Sequence, residues 1–289
     1  MWYNVTGLKK PSLFLIATSL MLTCWTAQAE SPSAKRIISL APSLTELVYS
    51  AGAGDQLVGV VNYSDYPKAA LSLPIVGSYN AINFEKILQL KPDLVLAWES
   101  GNRPQDLDRL KRLGLNLLIR DSQQLDQIPE LIEEIGRYAH TQSQANAEAQ
   151  RLRQQLADLR NHYAESATVT VFYQVWHQPL MTVNGEQFIS QAINVCGGKN
   201  VFGDLKALAP HVNREAVFAQ DPDVILLGGL SDVQQAWLEA WQKMPQLKAV
   251  RTNQIHPLNA DHLQRPTARL IDALPALCQR IDTVRQQNQ

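Results

Sequence analysis

The sequence predicts an α/β fold, with two Rossmann-like lobes built on parallel sheets and joined by one long α-helix. Three observations point there. Short apolar runs alternate with helix-forming stretches along most of the chain, the pattern of parallel strands with crossover helices. The stretch 143–163 has no Gly and no Pro, and Leu152, Leu156, Leu159 and Tyr163 recur along one helical face. Finally, NFEKILQLKPDLVLA (83–97) is echoed by NREAVFAQDPDVILL (213–227). In both, a Glu follows an Asn by two positions and a Pro-Asp pair follows the Glu by seven and eight.

The chain opens with Lys9 and Lys10, an apolar run over 13–22 and Ala27-Gln28-Ala29. A basic flank, a short apolar core and an A-x-A site make residues 1–29 a cleaved secretory signal peptide. The run is shorter than the roughly 20 residues that cross a bilayer. Cys24 raises a lipoprotein alternative, which its preceding residues Met21-Leu22-Thr23 fit poorly. The first lobe is expected over 30–140. It starts with the strand RIISLA (36–41) and a helix opened by a Ser43–Glu46 capping box and stopped at Gly52 and Gly54. QLVGVV, LPIVG, the helix around Glu85, DLVLAW, a helix ending near Gly114 and NLLIRD follow. The linker helix is expected over 141–164 and the second lobe over 165–289. That lobe holds TVTVFYQV, the second Asn-x-Glu helix, DVILLG, a strand near Ile255 and a closing helix with Leu270, Leu274, Leu277 and Ile281.

Hydrophobic residues make up 45% of the 289 and charged ones 18%, and the formal net charge is -1. That balance suits a soluble globular protein and gives no electrostatic case for nucleic acid. After cleavage at 29, Cys196 and Cys278 are the remaining cysteines. In an oxidising compartment they are expected to form a disulfide, worth roughly 4 kcal/mol by loop closure; two separate buried thiols are the alternative.

Ligands of open α/β sheets bind beyond the carboxyl ends of the strands. At those predicted ends stand Tyr63, Tyr79, Trp98 and Trp176, with Asp261 and Arg265 following the strand near Ile255. One Trp at such a place is ordinary edge packing. Aromatics at four ends, from both lobes, suit a broad, flat, partly apolar ligand. The chain has no H-E-x-x-H, G-x-S-x-G or Walker A motif. His140, His162, His177, His211, His256 and His262 have no metal-ligand spacing. No catalytic residue and no metal site are therefore expected.

RIISLAPSLTEL, the NYSDYP loop (62–67), NFEKILQLKPDLVLAW, VCGGKNVF (195–202), NREAVFAQDPDVIL and Cys278 together resemble the periplasmic binding proteins that serve metal-chelate ABC importers. This is the class III architecture, two lobes on a single helical linker. The NYSDYP loop, the paired cysteines and the aromatic set resemble its cobalamin branch. The resemblance implies a corrinoid held between the lobes by Tyr63, Tyr79 and Trp98 on one side and Asp261 and Arg265 on the other. It also implies a monomeric periplasmic carrier and an ABC importer as partner. Tyr79 and Ala209 stand where the branch usually has Trp, and Trp176 is expected to compensate. Glu85 and Glu215 serve the helix dipole of their first turns in the plainest reading. In the family such a pair meets arginines of the two membrane subunits. The rival ligands are haem, with Tyr63 or His177 as axial group, and a ferric siderophore; a two-lobe metalloenzyme is the rival of another class.

Overall fold

The computed structural model describes residues 34–229 and 231–288. The expected signal peptide and Cys24 lie outside the described residues. The first sheet is assembled from β1 (Ile37–Ser39), β2 (Leu57–Val60), β5 (Leu94–Trp98) and β6 (Leu117–Arg120), with a small hairpin of β3 (Gly77–Ser78) and β4 (Ala81–Ile82) beside it. Its helices are α1 (Pro42–Ser50), α2 (Phe84–Gln89) and α3 (Pro104–Arg112). Two antiparallel helices follow, α4 (Gln127–Ala139) and α5 (Gln142–Tyr163). The second sheet contains β7 (Val169–Gln174), β8 (Gly198–Asn200), β9 (Val224–Leu227) and β10 (Ile255–Pro257). Around it lie α6 (Phe188–Val195), α7 (Arg214–Gln220), α8 (Ser231–Gln242), α9 (Lys248–Arg251), α10 (Ala260–Leu263) and α11 (Ala268–Gln287).

Both sheets are parallel, in the orders β2-β1-β5-β6 and β10-β9-β7-β8. In each, the strand that opens the lobe is internal, with the strand of the repeated motif beside it. Crevices where the winding direction changes are the places where such sheets take ligands.

The repeated sequence falls at the same place in both lobes, and its residues do matching work. Asn83 and Asn213 are N-caps, accepting from the backbone N–H of Lys86 (3.0 Å) and Ala216 (2.8 Å). Each helix stops at a left-handed residue before the proline, Lys91 at φ 45° and Asp221 at φ 37°. The aspartate of each Pro-Asp pair then ties the loop to the lobe's first strand. Asp93 accepts from the N–H groups of Lys35 (3.0 Å) and Arg36 (2.9 Å), and Asp223 accepts from the N–H of Thr170 at 2.7 Å.

One apolar core runs through both lobes, from Leu47 and Leu94 through Ile132, Leu152 and Leu156 to Val171, Leu274 and Ile281. Two smaller clusters fill the other faces of the sheets. The buried stripe of α5 is Ala145, Ala149, Leu152 and Leu156, with Leu159 and Tyr163 half-buried beyond it. The small residues let α4 approach closely at that end. Pro275 lies inside α11 and cannot donate to the Ile271 carbonyl one turn back. Gln155 of α5 supplies the missing donor, Nε2 to Ile271 O at 2.8 Å, so the break in one helix fastens it to the other. Cys196, at the end of α6, is disulfide-bonded to Cys278 of α11 across 82 positions.

Two local expectations are corrected. The Ser43–Glu46 capping box does not form: α1 starts at Pro42 with Ala41 as an extended N-cap and no side-chain cap bond. Pro fixes the first helical φ and leaves Ser43 two positions too far in. LPIVG is not a strand; Ile75 makes only an isolated bridge to Val60. α6 and α8 are helices that the alternation of apolar runs does not separate.

Candidate functional site

A cavity of about 590 Å³ lies between the lobes, beyond the carboxyl ends of β1 and β5 on one side and β7 on the other. The first lobe lines it with Pro42, Ser43, Tyr63, Tyr79, Trp98, Ser100, Asp121, Ser122 and Gln123. The second adds Val175, Val183, Glu186, Gln187, Phe188, Ile189, Leu208, Ala209, Gln264, Arg265 and Pro266. Strand ends of both sheets therefore face one space.

Trp98 is the last residue of β5, and four neighbours fix its position. Its backbone N–H donates to Asn102 Oδ1 at 2.7 Å, and its Nε1–H donates to Asp121 Oδ1 at 3.0 Å. Gly101 gives the ring room: a Cβ there would stand 1.9 Å from Trp98 Cε3. Tyr79 packs beside it with ring centroids 6.1 Å apart, tilted by 51°. Buried Asn102 ties the pair together, donating from Nδ2 to Tyr79 O (2.7 Å) and Leu40 O (3.0 Å). The two rings and their common anchor form one rigid wall.

Tyr63 reaches the cavity differently. It is 76% exposed and sits at φ 65°, a left-handed backbone rare for a bulky residue. Its neighbours hold it there. Buried Ser64 accepts from Thr45 Oγ1 at 3.1 Å, and Asn62 N–H donates to Gly77 O at 2.8 Å. Asp65 accepts from Arg265 Nη1 of the other lobe at 2.8 Å. The guanidinium of Arg269 lies 3.9 Å over the ring of Tyr66. Anchors on both sides of Tyr63 thus present its ring, and the loop bridges the lobes.

Arg265 lines the cavity but is not free. Beyond Asp65, it donates from Nη1 to Glu46 Oε1 at 3.0 Å and pairs through Nη2 with Asp261 Oδ1 at 3.1 Å. Glu46, 3% exposed, is shared with Arg269, whose Nε donates to Oε2 at 2.9 Å. A second stitch joins the lobes beside the cavity, where Gln191 of α6 accepts from Leu125 N–H and donates to the Gln123 carbonyl, both at 3.1 Å.

Of the residues singled out from the sequence, Tyr63, Tyr79, Trp98 and Arg265 meet at this cavity. Asp261 stands behind Arg265, outside the lining. Trp176 is also outside it: half exposed, it packs edge-on against Trp237 at 6.4 Å and donates from Nε1 to Gln178 O. His177 stacks on the same Trp237 at 6.0 Å; burial, then the charge of Arg214, hold its pKa below the usual imidazole range. Phe188 supplies the second-lobe aromatic that strand-end position assigns to Trp176. Its signal is hidden because Gln187, an unusual N-cap, starts α6 by accepting from Ile189 N–H at 2.6 Å. The Asn184-Gly185 turn just before it is the available cue. Glu85 and Glu215 are both exposed in the first turns of α2 and α7.

Known proteins resemble this chain in sequence and fold. The chain is 39% identical over 264 residues to the vitamin B12-binding protein of Vibrio cholerae, covering 91% of this chain and 95% of that one. It is 38% identical over 272 residues to the vitamin B12-binding protein of Yersinia pestis, covering 93% of each. The crystal structure of the Vibrio cholerae periplasmic vitamin B12 binding protein superposes with a TM-score of 0.80 at 40% identity, over 89% of this chain and 99% of that one. A periplasmic heme-binding protein from Roseiflexus shares the fold at 23% identity, with a TM-score of 0.77 over 88% and 100%. Residues 37–261 match the family described as periplasmic binding protein, and the chain belongs to that family.

Proposed function

We propose that the protein captures a cobalamin-type corrinoid between its lobes and delivers it to an ABC importer in the periplasm, acting as a monomeric carrier without catalysis. The carrying observation is the chemistry of the cavity. Its walls are aromatic and aliphatic, its polar groups are mainly hydroxyls and amides, and its one arginine is already paired. A corrin has broad apolar faces fringed with neutral amide arms, which such walls fit. Anionic siderophores need free cations, and among the described residues the lining offers none. The names of the relatives at 38–39% identity agree with the corrinoid reading.

In this reading Tyr63, Tyr79 and Trp98 contact one face of the ligand and Phe188, Val183 and Ala209 the other. Ala209 leaves open the room a larger side chain would fill. Arg265, backed by Asp261, closes the floor, and Trp176 lies at the rim rather than in the ring stack. The lobes are taken as 30–140 and 165–289, with α5 between them. Glu85 and Glu215 serve as paired docking charges for the importer. Within the repeated motif, Asn, Pro and Asp each have a structural task. Glu215, by contrast, has no ion pair among the described residues, and Glu85 receives only a 3.4 Å contact from Gln89 Nε2. Exposed charges of this kind steer and orient docking.

Isothermal titration tests the ligand. Cyanocobalamin should bind with one-to-one stoichiometry and a negative heat-capacity change from apolar burial. A flat cyanocobalamin trace beside stoichiometric haem binding would overturn the reading.

A further inference from the structure

We propose that Asp65 is a specificity-determining residue, which neutralises Arg265 at the cavity wall and so excludes anionic chelates. The inference rests on reading this cavity as the solute site.

Among the described residues, Arg265 is the only arginine or lysine in the cavity lining, which also contains Asp121 and Glu186. Left alone, it would be the natural receptor for a propionate or catecholate oxygen, because a guanidinium binds such oxygens with short, charge-assisted hydrogen bonds. Its surroundings deny that role. Asp65, Glu46 and Asp261 each take one of its contacts, at 2.8, 3.0 and 3.1 Å. Counting Arg269, which shares Glu46, three carboxylates face two guanidiniums. An incoming anion would meet a net negative cluster.

The three carboxylates are not equivalent. Glu46 is buried and holds the lobes together. Asp261 belongs to the same turn as Arg265. Asp65 alone reaches Arg265 from the opposite lobe while about half exposed, with 48% side-chain exposure. It is also two residues from Tyr63, so one loop presents the aromatic face and pairs with the cation. Burial pushes the Asp65 carboxyl up, but the hydrogen bond and charge of Arg265 outweigh it and hold the pKa below the usual carboxylate range. The carboxylate therefore stays charged at neutral pH.

The test uses Asp65→Asn and Asp65→Glu in the mature protein, titrated by visible absorption with haem, a dicarboxylate, and with cyanocobalamin. Asn keeps the shape and removes the charge; Glu keeps the charge. The ratio of haem affinity to cyanocobalamin affinity should rise about tenfold or more in Asp65→Asn. The gain should shrink as salt is raised from about 0.05 to 0.5 M. Asp65→Glu should keep the parent ratio. An unchanged ratio in Asp65→Asn, or an equal rise in Asp65→Glu, overturns the proposal. Asp65→Ser, read the same way, covers a failure of the Asn variant to fold. A parent protein that binds no cyanocobalamin would sink the corrinoid reading, while the haem comparison between parent and variant would still report on the neutralisation.

Discussion

The two lobes share a helix start and a loop staple, yet they carry different loads. In the first, the repeated motif leads into β5, which ends in Trp98 at the cavity. In the second, the matching strand β9 ends at Leu227 and runs into Gly228 and Gly229. No side chain fits at Gly228, where a Cβ would stand 1.9 Å from the hydroxyl of Tyr173. The aromatic wall thus comes chiefly from the first lobe, and the aliphatic wall and the arginine from the second. In the proposed function, symmetry is retained where the molecule meets a two-fold importer and is lost where it meets one asymmetric ligand. There the repeated glutamates belong to the first category and the strand ends to the second.

The largest expected effect breaks the symmetric part. Reversing both charges, Glu85→Lys with Glu215→Lys, should abolish uptake of cyanocobalamin by cells while calorimetry shows ligand affinity unchanged. Each single reversal should reduce uptake to a similar extent, since the two helices are equivalent in cap and staple. Full uptake by the double variant would remove the docking role, and a loss confined to one lobe would remove the equivalence.

The next effect probes the asymmetric part. Trp98→Ala removes an indole held by four neighbours, and a rigid aromatic anchor of that kind is worth about 2 kcal/mol or more, roughly thirtyfold in affinity. Trp176→Ala should change affinity by less than about threefold, because its ring rests on Trp237 outside the cavity lining. Fluorescence quenching by cyanocobalamin measures both. Equal losses would place Trp176 in the ligand's path and restore the role its strand-end position suggests.

The contrast between Trp98 and Trp176 shows which features are legible in the sequence. The α/β alternation and the strand cores are plain because apolar runs bounded by turn residues obey local rules. Tyr63 and Trp98 reach the cavity from strand ends, places that topology alone predicts, whereas Tyr79 follows LPIVG, which is not a strand, and stands in the turn between β3 and β4. Phe188 cannot, because its helix begins with a glutamine cap outside the usual set of capping residues. Glu46 reads locally as part of a capping box. Its actual partners, Arg265 and Arg269, lie more than two hundred positions away in the chain, and no local pattern reports a contact across that span. The pairing of Asp65 with Arg265 is hidden for the same reason, although both residues are in plain view.

The smallest expected effect returns to the shared helix start. Asn83→Ala and Asn213→Ala each remove a side-chain oxygen that accepts one orphan N–H, and each should cost about 1 kcal/mol in urea unfolding. The two losses should agree within a few tenths, because the caps have the same partner spacing and similar lengths, 3.0 and 2.8 Å. They should also add in the double variant, since the sites belong to separate lobes. Neither should alter the charge of the glutamate two residues on, so a loss of uptake beyond the loss of stability would mean that the cap itself aims Glu85 or Glu215 at the importer. Strong departure from additivity would mean instead that the common core transmits strain from one lobe to the other, and the lobes would then be repeats in sequence but a single unit in energy.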